Sequence, residues 1–149
     1  MKNTSLVPKI FVDTNILVDF FLPERPKHAI SRDVFHLIFS HYVEAAISTQ
    51  SLLDAVYICG KSSNFNPEAF RETMLYIVEH TNISYLDFFD VKTGLMDACS
   101  DIEDSAQISF AYNQCCDFIV TADKEMLHRE VPKPMKVMTP EEFVNHCRA

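Results

Sequence analysis

The sequence predicts an α/β protein with a mostly parallel sheet and helices on both of its faces. Short apolar runs alternate with longer stretches whose apolar residues recur at helical spacing, which is typical of strand–helix–strand units. Two of these runs, at residues 9–12 and 118–121, are each followed closely by an aspartate. The chain has 149 residues, so we expect a short tail at residues 1–8 and a single domain at residues 9–149.

The first half of the chain is predicted to contain two strands, at residues 9–12 and 45–48, and four helices. The helices lie at about 14–21, around Val34 to Tyr42, at about 50–59, and after Asn66–Pro67, which is a favourable helix start. Two sets of apolar residues on the last two helices are predicted to be buried. These are Leu52, Ala55, Val56 and Cys59, and Phe70, Met74, Ile77 and Val78.

The second half is predicted to contain three strands, at residues 83–89, 118–121 and 135–138. Helices are expected near 91–99, at 101–114 and, briefly, from Lys124. Thr139, Pro140 and Glu142 form a capping-box pattern that opens the last helix.

The charge of the chain limits the partners that it can bind. There are 13 Lys and Arg residues against 21 Asp and Glu residues, for a net charge of −8. This balance disfavours a protein held on nucleic acid by a broad basic field, although a metal and a few local cations could still contact phosphate. Four cations on loops or at a helix start are candidates for such contacts: Arg25, Lys27, Lys61 and Lys124.

Several classes of site are disfavoured by what the sequence lacks. Only two glycines are present, which excludes the glycine-rich phosphate loops of Rossmann and P-loop proteins. The five cysteines include no C-x-x-C pair, so we expect reduced thiols in a cytoplasmic protein, with Cys115 and Cys116 as small buried residues. The apolar stretch at residues 10–22 is too short and too charged for a secretory signal or a membrane span.

Four aspartates are the candidate catalytic and metal-binding residues: Asp13, Asp54, Asp104 and Asp123. Asp13 and Asp123 follow strands, and the ligand crevice of a parallel sheet lies at the carboxyl ends of its strands. Carboxylates gathered there repel one another unless a cation lies between them. The acids therefore predict a divalent-metal site, for which chemistry on phosphates is a natural use.

Each acid also has a purely structural interpretation. Asp13 and Asp123 suit the N-cap of the following helix, and Asp101 suits the cap of the next, which leaves Asp104 with an unused carboxylate. Asp54 lies on its helix away from the apolar stripe and, from this position alone, is more often an exposed helix acid. Glu103 is expected to be solvated.

Four segments resemble the motifs of the PIN domain, a family of compact metal-dependent ribonucleases that includes the VapC-type toxins of toxin–antitoxin modules. They are residues 10–15 (Ile-Phe-Val-Asp-Thr-Asn), 101–107, 117–123 and 139–143. The resemblance runs from about Lys9 to the C-terminus. It implies a three-layer α/β/α fold with a five-stranded parallel sheet in the order 3-2-1-4-5.

The resemblance also implies the roles of individual residues. Asp13, Asp104 and Asp123 match three acidic positions of the family, and Asn15 and Thr121 match its supporting polar positions. Asp54 stands where the family usually has a glutamate. The implied activity is a Mg²⁺- or Mn²⁺-dependent endoribonuclease that leaves 5′-phosphate and 3′-hydroxyl ends, with RNA as substrate, an antitoxin protein as partner and a homodimer as its assembly.

Two other functions remain open from the sequence. A phosphatase of the haloacid-dehalogenase type also begins from an aspartate after the first strand, but it needs a second aspartate where this chain has Asn15. An inactive PIN-like binding module would use its acids only to cap helices, and Asp54 in place of glutamate favours that alternative.

Overall fold

The computed structural model describes residues 7–98 and 101–149 as five strands and eight helices. In chain order these are β1 Lys9–Val12, α1 Thr14–Phe21, α2 His28–Phe39, β2 Glu44–Ser48, α3 Thr49–Gly60, α4 Pro67–His80, β3 Asn82–Ser84, α5 Phe88–Met96, α6 Ile102–Asn113, β4 Phe118–Val120, α7 Lys124–Leu127, β5 Lys136–Met138 and α8 Pro140–Arg148. Most of the predicted tail at residues 1–8, and Cys99 at the end of a predicted helix, lie outside the described residues.

The five strands form one parallel sheet in the order β3-β2-β1-β4-β5, as the family resemblance implies. Adjacent residues of β1 belong to opposite sides of this sheet, because side chains alternate along a strand. Ile10 and Val12 belong to one core with helices α1, α2, α3 and α8, whereas Phe11 belongs to a second core with α6. The sheet therefore lies between two helical layers, and the predicted α/β fold class is confirmed.

Two of the predicted helix faces need correction. On α3 the fully buried residues are Ser51, Ala55 and Cys59, whereas Val56 is 44% exposed. On α4 only Ile77 is buried, and Val78 is 37% exposed. The buried stripe of each helix is narrower than the apolar stripe in its sequence, so several apolar side chains face solvent.

The third strand is shorter than predicted. The apolar run at residues 83–89 predicts a strand along its whole length, but β3 ends at Ser84 and Phe88 already belongs to α5. Asp87 explains the change, because its side chain caps α5 and forms a reciprocal capping box with Asp90. A strong helix start therefore overrides the local strand preference.

Helix α5 packs against α6 through a small residue and a polar one. Gly94 lies so close to α6 that an added Cβ would be 2.6 Å from the carbonyl oxygen of Ile102. Asp90 is buried and accepts hydrogen bonds from Ser109 at 2.7 Å and Asn113 at 3.1 Å. The larger apolar side chains of α5 are exposed.

Of the neighbouring cysteines, Cys116 is buried as predicted, but Cys115 is exposed. Cys115 has a positive φ of 58°, which turns the chain after the end of α6. This turn directs the side chains of Cys115 and Cys116 to different environments.

No helix within the described residues is long and apolar enough to cross a membrane.

Candidate metal centre

The carboxyl ends of β1 and β4 bring two of the predicted acids to the same edge of the sheet. Val12 pairs with Val120, and the backbone N–H of Asp13 donates to the Val120 carbonyl at 3.1 Å. Asp123 follows three residues after Val120 and caps α7. The topology therefore places Asp13 and Asp123 at the edge where ligands bind in parallel sheets.

The carboxylate of Asp13 is buried and tied to its surroundings. Asp13 is 7% exposed and accepts hydrogen bonds from the Thr121 hydroxyl at 2.6 Å and from the Thr14 backbone N–H at 2.8 Å. Burial raises the pKa of Asp13 above its usual value, these hydrogen bonds oppose the rise, and the charge of Asp123 adds to it. A cation beside Asp13 would favour its charged form.

Asn15 and Thr121 connect the two strand ends. The side-chain oxygen of Asn15 accepts a hydrogen bond from the Ala122 backbone N–H at 3.2 Å, and the Thr121 hydroxyl oxygen accepts one from the Asp123 N–H at 3.0 Å. The amide nitrogen of Asn15 is 3.4 Å from a carboxylate oxygen of Asp13. Both predicted supporting residues are therefore in contact with the predicted acids.

Asp104 contributes a buried carboxylate to the site. It is the third residue of α6, its backbone N–H donates to the cap residue Asp101 at 2.9 Å, and its side chain is 7% exposed. Its Oδ2 atom is buried with no hydrogen-bond partner among the described residues. The pKa of Asp104 is raised to about 6, chiefly by burial and further by the charges of Asp101, Asp123 and Asp13, while Arg129 opposes the rise.

Asp104 belongs to a close set of three carboxylates. Asp101, Asp104 and Glu125 each offer a ligand atom, and these atoms lie within 4.8 Å of one another. Within the residues that the structure describes, neither Asp13 nor Asp123 joins so close a set, although both charges act on Asp104. The donors are all carboxylate oxygens, which suit hard cations such as Mg²⁺ and Mn²⁺.

This set shares only Asp104 with the four predicted acids and adds two residues, Asp101 and Glu125. The sequence assigns Asp101 mainly to capping, and the structure shows that it both caps α6 and contributes to the close set. Glu125 is absent from the sequence-based candidates. It lies in the first turn of α7, where its backbone N–H donates to the cap residue Asp123 at 2.9 Å. An acid two residues after a strand-end aspartate is the signal that could have identified it.

Asp54 lies outside the close set but interacts with another acid of the site. Its side chain is half-buried and accepts a hydrogen bond from Gln50 at 2.9 Å. Partial burial raises the pKa of Glu103, and the charge of Asp54 is the next cause. Glu103, which the sequence predicts to be solvated, is exposed but electrostatically coupled to Asp54, Asp101 and Asp13. Its place beside Asp104, in the first turn of α6, explains this coupling.

Arg129 joins three segments next to the acids. Its guanidinium donates to Asp97, just past the end of α5, at 3.1 Å, and to the hydroxyl of Ser105, the residue after Asp104. Ser105 lies 2.7 Å from the same carboxylate oxygen of Asp97. These hydrogen bonds hold the segment that follows Glu125 against the first turn of α6. They thereby fix Glu125 relative to Asp101 and Asp104.

Comparison with known proteins agrees with this architecture. Residues 9–125 match the family model of the PIN domain. The chain is 23% identical over 138 residues to ribonuclease VapC1 of Aquifex aeolicus (strain VF5), a match that covers 91% of this chain and 92% of the relative.

Two solved structures share the fold. VapC20 of Mycobacterium tuberculosis, a toxin that cleaves the sarcin-ricin loop, superposes with a TM-score of 0.62 at 11% identity, covering 78% of this chain and 92% of VapC20. VapBC2 of Rickettsia felis, solved with a DNA fragment from its promoter, gives a TM-score of 0.58 at 16% identity, covering 88% of this chain and 98% of the matched chain.

Proposed function

This chain belongs to the PIN-domain family, and we propose that residues 9–149 form a single nuclease domain that cleaves RNA internally with Mg²⁺ or Mn²⁺. The observation that carries the proposal is the buried Oδ2 of Asp104, which has no partner within the described residues, on a residue that forms the close set with Asp101 and Glu125. A buried carboxylate oxygen without a partner is costly. A bound cation would provide the missing partner.

The acids and Thr121 would have separate roles in RNA hydrolysis. Asp101, Asp104 and Glu125 would hold the cation, with Asp13 and Asp123 adding negative charge from the strand ends. When bound, the cation supplies a nucleophilic water at neutral pH and stabilises charge on the leaving oxygen. Thr121 holds Asp13 in place through its hydroxyl, so the strand-end carboxylate needs no reorganisation during the reaction.

Asp54 and Glu103 together would take the role of the glutamate that the family usually has at the position of Asp54. Asp54 is one methylene shorter than glutamate, and the structure places it outside the close set. The coupling of its charge to Glu103 supports a shared role in orienting water beside the cation. An inactive binding module remains the second candidate, because the shorter Asp54 is the single departure from the family's acids. The PIN match favours both of these over a phosphatase.

The relatives support a toxin role. VapC1 is a ribonuclease, VapC20 is a toxin, and VapBC2 was solved bound to a DNA fragment from its promoter. We propose that a small antitoxin restrains this chain in the cytoplasm by placing basic and apolar residues against the acidic edge of the sheet. The exposed apolar side chains of α5 favour a homodimer of this chain as the assembly that the antitoxin restrains.

RNA cleavage by the purified protein tests the proposed activity. Wild-type protein should cleave RNA with Mn²⁺ and not with EDTA, and Asp104→Asn should abolish cleavage. Producing the wild type alone should halt bacterial growth, whereas the D13N/D123N variant should not. A soluble wild type that cleaves no RNA and permits normal growth would favour the inactive binding module.

A further inference from the structure

The cations of this acidic chain are unevenly available to a substrate. Of the four candidates from the sequence, Arg25 forms an ion pair with Asp19, and Lys27 forms one with Glu141. Lys61 lies over the ring of Tyr57, 4.1 Å from its centroid. Only Lys124, which is exposed in the first turn of α7, has no ion pair or ring contact within the described part of the chain.

Lys124 begins a segment that is locally positive. Residues 124–136 contain four cations, Lys124, Arg129, Lys133 and Lys136, against two acids, in a chain whose net charge is −8. Lys133 and Lys136 are exposed, and neither forms an ion pair with any described residue. Their charges are therefore available to a polyanion.

A groove of about 620 Å³ lies along this segment. Arg129, Lys133 and Lys136 line it together with apolar side chains that include Val131, Met135 and Val137. Cations beside an apolar surface suit a single-stranded nucleic acid, since phosphates contact the cations while an unstacked base packs on the apolar surface.

Helix α7 connects the groove with a strand-end acid of the candidate metal centre. Asp123 caps α7, and Leu127 at the end of this four-residue helix already lines the groove. Four helical residues span about 6 Å. Arg129, which lines the groove, also donates to Ser105 beside Asp104. Lys136 begins β5 opposite Phe118, at the amino end of the sheet, whereas the acids lie at its carboxyl end. A strand bound along the groove from Lys136 to Leu127 would therefore run from the amino end of the sheet towards the edge that carries the acids.

We propose that residues 124–136 bind the single-stranded RNA that adjoins the cleaved bond, with its phosphates on Lys133 and Lys136. This inference rests on the proposed function, because it names the path of that enzyme's substrate. The net charge of the chain would then contribute to specificity. The acidic surface outside residues 124–136 repels RNA, and the positive segment directs RNA into one path beside the site.

The test is a binding measurement that needs no cleavage. An unstructured, labelled oligoribonucleotide of about 12 nucleotides is titrated with the D13N/D123N protein in EDTA at several salt concentrations. Removing two phosphate contacts in K133Q/K136Q should weaken binding and reduce the slope of log K against log salt by about 1.4. The K133R/K136R variant keeps both charges and should bind as the parent does.

A matched variant, R71Q/K92Q, removes the same charge from exposed positions on α4 and α5 and should leave affinity and slope unchanged. Equal affinity and slope for K133Q/K136Q and its parent would overturn the proposal. So would displacement of the RNA by poly-glutamate at the same concentration of charge, because the surface would then select an acidic peptide equally well.

Cleavage kinetics separate this inference from the proposed function. In a cleaving enzyme, K133Q/K136Q should raise KM for RNA and leave kcat unchanged. If the wild type cleaves no RNA but the slope of log K against log salt changes as expected in K133Q/K136Q, the proposed RNA-binding groove is supported and the proposed nuclease function is rejected.

Discussion

Thr121 donates its hydroxyl hydrogen to Oδ2 of Asp13 at 2.6 Å, across the ends of two neighbouring strands. Thr121 is fully buried and Asp13 nearly so, so this bond is made out of contact with bulk water. The same hydroxyl oxygen accepts the backbone N–H of Asp123. One side chain therefore sets the relative positions of both strand-end carboxylates.

Removing this hydroxyl should destabilise the protein. Thr121→Val keeps the shape of the side chain but leaves a buried oxygen of Asp13 without its closest donor, at a cost of about 1–3 kcal/mol. Thr121→Ser keeps the donor and should cost less. Urea unfolding of the two variants measures the difference. Equal stability of Thr121→Val and wild type would mean that the bond contributes nothing to the fold.

Metal binding should stabilise the protein against heat. A cation that binds only the folded state adds RT ln(1 + [L]/Kd) to the free energy of unfolding, about 2.7 kcal/mol at a concentration of 100 Kd. Asp104→Asn and Glu125→Gln should weaken the Mn²⁺-induced rise in melting temperature, and Glu72→Gln, an exposed acid of α4, should not. A wild type that melts at the same temperature with Mn²⁺ and with EDTA would count against the site.

Asp104 should make the stability of the metal-free protein depend on pH. Its pKa is raised from 3.8 to about 6 by burial and neighbouring acids, so the folded state holds a proton that the unfolded state has released. The contribution of Asp104 to the free energy of unfolding therefore falls as pH rises through this window. The stabilising contribution is fully present below the window, where both states are protonated, and it is lost once pH has risen above about 6.

Unfolding of wild type and Asp104→Asn at a series of pH values isolates this effect. The variant should gain stability relative to wild type as pH rises, with the gain levelling off above about pH 6. A difference that stays constant with pH would show that the carboxyl of Asp104 titrates normally.

Asp54 should matter for activity and little for the fold. Its side chain is half-buried and bonded to Gln50 on the same helix, so Asp54→Asn should leave the melting temperature nearly unchanged. If Asp54 serves the site, RNA cleavage should fall in this variant and should be kept or increased in Asp54→Glu, which restores the family's glutamate. Full cleavage by Asp54→Asn would make Asp54 a surface residue, and Glu103→Gln would then become the variant to examine.

The strand-end acids were predictable because their positions follow from local sequence. An apolar run, an aspartate and a helix start specify both the strand and the residue at its edge, and the order of the strands brought Asp13 and Asp123 to one edge. The capping boxes at Asp87 and Thr139 are equally local, but only the second was recognised. The missed box at Asp87 led to a third strand that was predicted too long.

The close set was not predictable to the same degree, because it depends on how separate elements pack. Glu125 lies close to Asp101 and Asp104, and Arg129 in the segment after β4 donates a hydrogen bond to Ser105 at the start of α6. That contact joins residues 24 positions apart and leaves no periodic pattern in the sequence. The exposure of Val56 and Val78 has a similar origin, since it depends on how much of each helix the sheet covers.

Gly94 has no functional group, yet a screen for loss of activity should find it as readily as the acids. Any side chain at this position would push α5 away from the carbonyl of Ile102, at the start of the helix that holds Asp104. We expect natural variation to spare this position. Residue 94 is therefore constrained by the absence of a Cβ atom and not by a functional group.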